Sequence, residues 1–381
     1  MGNGLSCPGR GNCIDRDGPG EEKNNRRYSA MKLVTFRTEK SAVNQFGLVL
    51  NEKIYSFNSL MKHFKHRHTC LESIDAYLED LPASYHLALE LQDKILTGKN
   101  HVSSLRGLDP DRVMILPPVP KPAALLDFGL SPRHLINSAC TLFRHELPWP
   151  VNYIAWSVVR RRLKKIDTNR LLYYKGNHNE LIGHGETTHW PSYTSYLDIE
   201  PELAFVTGKS NVRGQSPENV VAGYCILNDF SARDVQFPEM IGLGLARSKD
   251  FARGNGLGPV LVTPDEAGYP LSLAVTVSVG ERYVWKGTTA EYAAAPGDII
   301  RFLEGVFTLR AGTVIGMGTV PGCCGLDNDR WLWPGDRIDI TFDKLGTLTQ
   351  YIPADIGVLQ NSRWTHRQEL ECFYSQTQKR H

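Results

Sequence analysis

Three observations predict a mixed, β-rich α+β fold. In the second half of the chain strand-like segments outnumber helical ones and do not alternate strictly with them, which argues against a doubly wound sheet. Turn residues, as in TPDEAGYP and DKLGT, separate these segments. The proline-rich run ILPPVPKP, Ile115 to Pro122, marks a boundary between a small N-terminal α+β domain (31–118) and a larger β-rich domain (119–355), with a leader at 1–30 and a tail at 356–381.

Alternating apolar residues in KLVTF, FGLVL and KIYSF predict three short strands over 31–57. From Ser59 to about Gly98 the apolar residues recur at threes and fours, as in LESIDAYLEDL and LALELQDKIL, which predicts helix. A further helix is expected over 131–145, followed by an irregular polar segment to about 195. Strands are expected at 196–207, 223–229, 259–263, 271–286, 313–318 and 336–353, with helical turns at SARDVQ and EYAAAPGDIIRFLEG.

Composition excludes several classes. The 381 residues are 41% hydrophobic and 22% charged, with a net charge of +2, so no nucleic-acid partner is expected and the run RRRLKK, Arg160 to Lys165, reads as a solvated face. No stretch approaches the ~18 apolar residues of a membrane span, and no apolar signal core opens the chain. Eight cysteines without CxxC pairs suit a reducing cytosol, and Cys323-Cys324 reads as turn packing. His63, His66 and His68 lie among Lys62, Lys65 and Arg67, which would repel a cation. Residues 1–30, rich in Gly, Asn, Arg and acids, read as a disordered leader. Its MGNGLSC start fits myristoylation at Gly2, with Ser6 in place and Cys7 open to palmitoylation, which would give weak membrane association to a cytoplasmic protein.

The chemistry points elsewhere, to acids in apolar surroundings: Asp127 in ALLDFG, Glu200 and Glu202 in LDIEPELAF, and Asp229 in GYCILNDFS. Each could end a strand or cap a helix, and Asp229 or Ser231 could be an N-cap before SARD. Along an extended chain Asp198, Glu200 and Glu202 point the same way, and burying such a row without partners costs several kcal/mol or more. A hard dication relieves that repulsion, and oxygen-only ligands select Mg²⁺, with Ca²⁺ or Mn²⁺ possible, over zinc. Pro201 donates no hydrogen bond, so its strand is expected at an edge or with a bulge. DFG at Asp127 lacks the rest of a kinase signature, GNGLGP lacks the dinucleotide spacing, and no GxSxG occurs.

The order LDIEPELAFVTGK, GYCILNDFSARDVQ, SKDFARGNGLGPVLVTPDE, IGMGTVPGCCGLDNDRWLWPGDRIDI resembles the fumarylacetoacetate hydrolase family from about residue 120 to 353. The resemblance implies metal ligation by Asp127, Glu200, Glu202 and Asp229. It implies a general base at His134 within DFGLSPRH and an active-site lysine at Lys249. Substrate contacts are implied for Arg233, Gln236 and Thr319 and, more loosely, for Tyr174 and Arg144. It also implies a homodimer. Three departures point away from fumarylacetoacetate itself. Gly129 and Met240 stand where fumarylacetoacetases carry tyrosines, and the glutamate that partners their histidine has no counterpart: Trp333 falls near its place, with Asp327 and Asp329 close by. The expected activity is therefore metal-dependent C–C hydrolysis of a β-diketone or acylpyruvate. A 2-oxo-acid decarboxylase, tautomerase or isomerase is the alternative, and a non-catalytic binding protein on this fold a further one.

Overall fold

The alternating segments form three antiparallel strands, β1 (Lys32–Thr38), β2 (Gln45–Leu50) and β3 (Lys53–Ser56). They belong to a computed structural model that describes residues 31–357 except 40, 99–104, 165–170, 210–219 and 268–270, together with 359, 362 and 364. The leader with Gly2, Ser6 and Cys7, and most of the expected tail, lie outside the described residues. The helical region resolves into α1 (Phe57–His63), α2 (Ile74–Glu79) and α3 (Ala83–Leu96), whose Phe57, Leu60, Tyr77 and Leu91 pack on Phe46 and Leu48 of β2.

Beyond them come β4 (Val113–Ile115), β5 (Ala124–Phe128), α4 (Pro132–Glu146), α5 (Val151–Arg162), β6 (Tyr173–Gly176) and β7 (Leu181–Ile182). The next block is β8 (Leu197–Asp198), β9 (Pro201–Thr207), β10 (Val221–Asp229), β11 (Ser231–Ala232), α6 (Arg233–Ile241), β12 (Asn255–Val262) and α7 (Pro264–Ala267). The remainder is β13 (Ala274–Val279), β14 (Tyr283–Thr288), α8 (Pro296–Glu304), β15 (Thr313–Thr319), α9 (Gly325–Asn328), β16 (Arg337–Phe342) and β17 (Gly346–Tyr351). The fold is mixed α+β, as the sequence predicts.

One large sheet runs β3-β2-β1-β12-β10-β9-β15-β5-β6, with β4 also on β1 and β7 also on β12. The pairing Lys32↔Val262 and Leu33↔Leu261 carries the sheet unbroken past the proline run at 115–122. Central strands are buried on both faces, which is why they read as continuous apolar runs. Alternation is nevertheless visible in the packing. Leu203 and Phe205 face one cluster, where the second sheet β14-β13-β16-β17 contributes Val277, Ile338 and Leu348, and Ala204 and Val206 face the other. Leu126 and Phe128 likewise pack with the first cluster and Leu125 with the second, as Ile226 does against Cys225 and Leu227. By this parity Asp127, Glu202 and Asp229 share one face of the large sheet, with β15 between β5 and β9.

Two expectations are corrected. Within the segment expected to be irregular, residues 151–162 form α5, a helix none of whose residues is buried; without a segregated apolar stripe it left no helical period to read. Pro201 does not lie on an edge strand, because β9 runs between β10 and β15. It opens the strand, where its missing N–H is tolerated, and the extra residue sits in β15: Ala204 pairs with Gly316 but Glu202 with Thr319. No helix among the described residues is long and apolar enough to cross a membrane.

That bulge requires Gly318, whose φ of 97° an L side chain rarely adopts. A Cβ there would press on the Phe128 carbonyl oxygen and stand 2.9 Å from the Leu130 nitrogen. Gly318→Ala is expected to cost on the order of 1–3 kcal/mol, read as a lower urea midpoint at unchanged m-value.

Candidate active site and metal centre

A cavity of about 360 Å³ opens where β5, β9 and β10 end, within the ~300–1,000 Å³ range of small-molecule sites. Its lining includes Asp127, His134, Tyr174, Glu200, Glu202, Arg233, Gln236, Lys249 and Thr319, so the structure brings nearly all the sequence-predicted residues together. Asp229 stands behind them, bonded to Tyr174 Oη and Lys249 Nζ.

Carboxylate oxygens of Asp127, Glu200 and Asp229 lie within 4.8 Å of one another. Glu202 sits against Asp127, and its Oε2 accepts from the Gly318 nitrogen at 2.9 Å. Gly316, between Asp127 and Ala204 in the sheet, gives this carboxylate its space: a Cβ there would come within 2.5 Å of Glu202 Oε2. Asp198 departs from the expected row. It leaves the cluster to accept from the backbone nitrogens of Gly325 at 2.7 Å and Leu326 at 2.9 Å and from Arg233 Nε at 2.9 Å. Asn228 fixes the Glu200 backbone through its Oδ1, 3.1 Å from the Glu200 nitrogen, and is itself held by Gln350 at 2.8 Å.

Both buried cations are paired with carboxylates, although Arg233 Nη2 makes no hydrogen bond among the described residues. Arg233 Nη1 donates to Glu200 at 2.5 Å and to Gln236 at 3.0 Å, while Nη2 lies 2.8 Å from Asp198. The role expected for it, gripping a substrate carboxylate, competes with these bonds. Lys249 Nζ places its three donors on Glu200 at 2.5 Å, Ser231 Oγ at 2.7 Å and Asp229. Burial disfavours both charges, yet the neighbouring carboxylates more than offset it and hold Arg233 and Lys249 above their ordinary pKa values. Glu200 moves the other way: against its burial, Arg233 and then Lys249 hold it well below the usual carboxylate range.

Asp127 and Glu202 lack such a partner. Burial, and then the charge of Asp229, pushes Asp127 well above the usual carboxylate range; burial and the charge of Asp127 do the same to Glu202. Glu202 Oε1 and Asp229 Oδ1 are buried without a hydrogen-bond partner among the described residues. Orphaned carboxylate oxygens beside displaced titrations are what a hard cation satisfies, so Asp127, Glu200 and Asp229, with Glu202 beside Asp127, fit a divalent ion with oxygen preference.

The histidine has the partner that the sequence could not identify. Ser131 caps α4 by accepting from the His134 nitrogen at 3.2 Å, Pro132 opens the helix, and His134 is thereby fixed in its first turn. Asp327 Oδ1 stands 2.9 Å from His134 Nδ1 and also accepts from Ser138 Oγ at 3.1 Å. Asp327 in turn is oriented by the Gly322 nitrogen at 2.7 Å, and Cys324 Sγ accepts from its own nitrogen at 3.4 Å. Although burial raises it, the charge and hydrogen bond of His134 leave the Asp327 carboxyl below its ordinary value, so it is an acceptor. Nδ1 therefore carries the proton and Nε2 is the basic nitrogen. Burial alone would lower the imidazole; Asp327 more than offsets this, and His134 is raised above its ordinary value of 6.5.

Arg144 is not brought to the cavity. Its side chain is 56% exposed, bonded to Asp329 at 2.9 Å, and borders a separate surface depression with Trp149 and Trp156. Trp333 takes no part either; its ring packs beside Arg282, away from His134. The sequence signal that could have found Asp327 is slight: it is one of two acids in GLDNDR, with nothing local to choose it over Asp329.

Comparison with known proteins gives these features a context. The sequence model of the fumarylacetoacetate (FAA) hydrolase C-terminal family matches residues 155–352. An oxaloacetate tautomerase of Bacillus subtilis, YisK, is 36% identical over 182 residues, which are 45% of this chain and 58% of that protein. An uncharacterized protein of Staphylococcus haemolyticus, SH1982, is 32% identical over 165 residues, 42% of this chain and 54% of that protein. The chain thus spans little more than half the length of the curated relatives it matches. Among solved structures, a fumarylacetoacetate hydrolase of Exiguobacterium antarcticum superposes with a TM-score of 0.61 at 21% identity, over 85% of this chain and 100% of that one. A maleylpyruvate hydrolase of Sphingobium sp. SYK-6, solved with manganese (II) ion and pyruvate, superposes with a TM-score of 0.59 at 19% identity, over 85% and 99% of the two chains. These structural likenesses establish a shared fold.

Melting of chelator-treated protein tests the acid cluster without any substrate. Saturating Mn²⁺ or Mg²⁺ is expected to raise the midpoint, by an amount equivalent to about 2.7 kcal/mol at a hundredfold excess over Kd. Glu202→Ala is expected to abolish that rise, and an undiminished shift in the variant would remove Glu202 from the ligand set.

Proposed function

The chain belongs to the fumarylacetoacetate hydrolase family, and from that premise we propose that it is a divalent-metal-dependent hydrolase of C–C bonds in acylpyruvates or related β-diketones. The observation that carries this reading is that His134, which lines the same cavity as Asp127, Glu200 and Glu202, is held from behind by the buried Asp327 carboxylate at 2.9 Å. A carboxylate-oriented imidazole is the equipment for activating water. Asp127, Glu200, Glu202 and Asp229 would hold the ion, Mg²⁺ by the hardness of the donor set, with Mn²⁺ or Ca²⁺ compatible. When bound, such an ion supplies Lewis-acid charge to the two oxygens of a 1,3-dicarbonyl or 2-oxo acid.

The chain's own residues do the rest. His134 Nε2 takes a proton from water, and the hydroxide adds to the acyl carbonyl. The bond between that carbon and its methylene neighbour breaks, the electron pair leaves with the 2-oxo-acid fragment, and the proton held on His134 passes to the former methylene carbon, which becomes a methyl group. Asp327 keeps the imidazole in one tautomer and stabilises its charged form. Lys249 supplies fixed positive charge while its three donors hold Glu200, Asp229 and Ser231 in place, and Arg233 holds Glu200 from the other side. Gln236 and Thr319, on the cavity wall, are suited to contact substrate oxygens, and Tyr174 orients Asp229.

A second reading is favoured by the 36% identity to an oxaloacetate tautomerase: the same base moves a proton between carbon and oxygen of a 2-oxo acid and no carbon–carbon bond is cut. Mass spectrometry after incubation with Mg²⁺ in ¹⁸O-water separates the two. Hydrolysis releases two acids, one carrying ¹⁸O from the attacking water; tautomerisation changes no carbon skeleton and appears as faster decay of enol absorbance. Intact acylpyruvates after long incubation, together with accelerated ketonisation of oxaloacetate, would favour the second reading over the first.

The pH profile supplies a further check. Neutral His134 is the working form and its pKa is raised, so the rate is expected to fall as pH drops through a value above 6.5. Asp327→Asn removes the charge that raises it. The acid limb should then move to lower pH and the plateau rate fall by roughly 10²-fold or more.

A further inference from the structure

The cavity is two-sided in chemistry. Its inner end holds the buried acids, His134 and Lys249, whereas its outer wall is built from Leu135, Leu142, Leu172, Met240 and Leu245. Leu172 is 83% exposed and Met240 54%, which places them at the mouth. Gly129 lies on the same wall with room beside it: a Cβ there would meet only Leu135 Cδ2, at 3.7 Å. Among the described residues of the lining, the permanent cations are Arg233 and Lys249. Both are at the inner end, and both are already bonded to carboxylates. His134 is turned onto Asp327.

We propose that the substrate ends, on the side away from its reacting carbonyls, in an uncharged apolar group: an alkyl or aryl tail lying along Leu135 and Leu142 toward Leu172 and Met240. This rests on the head-group reading above and deepens it, because it selects acyl compounds with apolar tails over dicarboxylates. A second carboxylate laid against Leu135 and Leu142 would lose water there with no free cation among the described lining residues to receive it, which is unfavourable. A methylene placed there gains about fourfold in affinity.

Unreactive ligands test the tail separately from the chemistry. Oxamate, N-pentyloxamate and N-(4-carboxybutyl)oxamate share the 2-oxo-acid head and differ only beyond it. Titration calorimetry of the full chain with Mn²⁺ is expected to give N-pentyloxamate at least tenfold tighter binding than either of the others. Binding of N-(4-carboxybutyl)oxamate as tight as that of N-pentyloxamate, or no gain of N-pentyloxamate over oxamate, would overturn the tail assignment while leaving the head-group reading intact. Failure of oxamate and both derivatives to bind would overturn the two together. Met240→Arg, at a position exposed enough to accept a charge, is expected to reverse the preference by placing a cation at the mouth. An unchanged preference in that variant would remove Met240 from the tail path.

Discussion

Five carboxylates, those of Asp127, Asp198, Glu200, Glu202 and Asp229, are buried around one cavity with two permanent cations, Arg233 and Lys249, among them. A buried charge is tolerated only when paired, and two cations cannot pair with five anions. The imbalance is distributed unevenly. Asp198 and Glu200 share Arg233, Lys249 bridges Glu200 and Asp229, Asp127 and Glu202 are left with raised proton affinities, and one oxygen each of Glu202 and Asp229 has no hydrogen-bond partner among the described residues. Much of the surrounding structure follows from that arrangement. Gly316 gives up its side chain to leave room for Glu202, the Gly318 bulge turns a backbone N–H onto the same carboxylate, and Asn228 with Gln350 fixes the backbone of Glu200.

The histidine pair solves a different problem. An imidazole buried near several carboxylates would have no fixed tautomer, since any of them could attract its proton. Asp327 removes the ambiguity by taking Nδ1, and it is itself pinned by Ser138 and by the Gly322 backbone. Two short capped segments, the start of α4 and the single turn of α9, thus present base and orienting acid to each other although they stand 193 residues apart in the chain. Because those segments are held by caps and by the Asp198 bonds to Gly325 and Leu326, the anionic cluster and the basic group share one rigid frame. A site built this way needs little rearrangement to stabilise charge that develops in a substrate.

How much of this was legible depended on range. Strands β1 to β3, β9, β10, β12 and β15 of the large sheet could be read because their apolar runs and turn residues are local, whereas β4 and β7, of three residues or fewer, are too short to show a period and YYKG of β6 shows none. The four clustered acids stood out because a carboxylate inside an apolar run is rarely neutral in meaning. The helix at 151–162 was hidden because, with no buried residue, it carries no apolar stripe. Arg144 resembled a site residue in sequence but turns to Asp329 outside the cavity. Asp198 resembled Glu200 and Glu202 by spacing, yet the chain breaks strand geometry between β8 and β9 and sends it to Arg233 instead.

The sequence by itself determined the fold class, the family resemblance and the identity of the acids, since each is written in contiguous residues whose period and polarity are fixed by the backbone. Only the tertiary structure decided that Asp327 partners His134, that Arg233 and Lys249 are paired with buried carboxylates, and that the outer cavity wall is apolar. Those are contacts between distant segments, and a local pattern holds no information on which remote partner satisfies a buried charge.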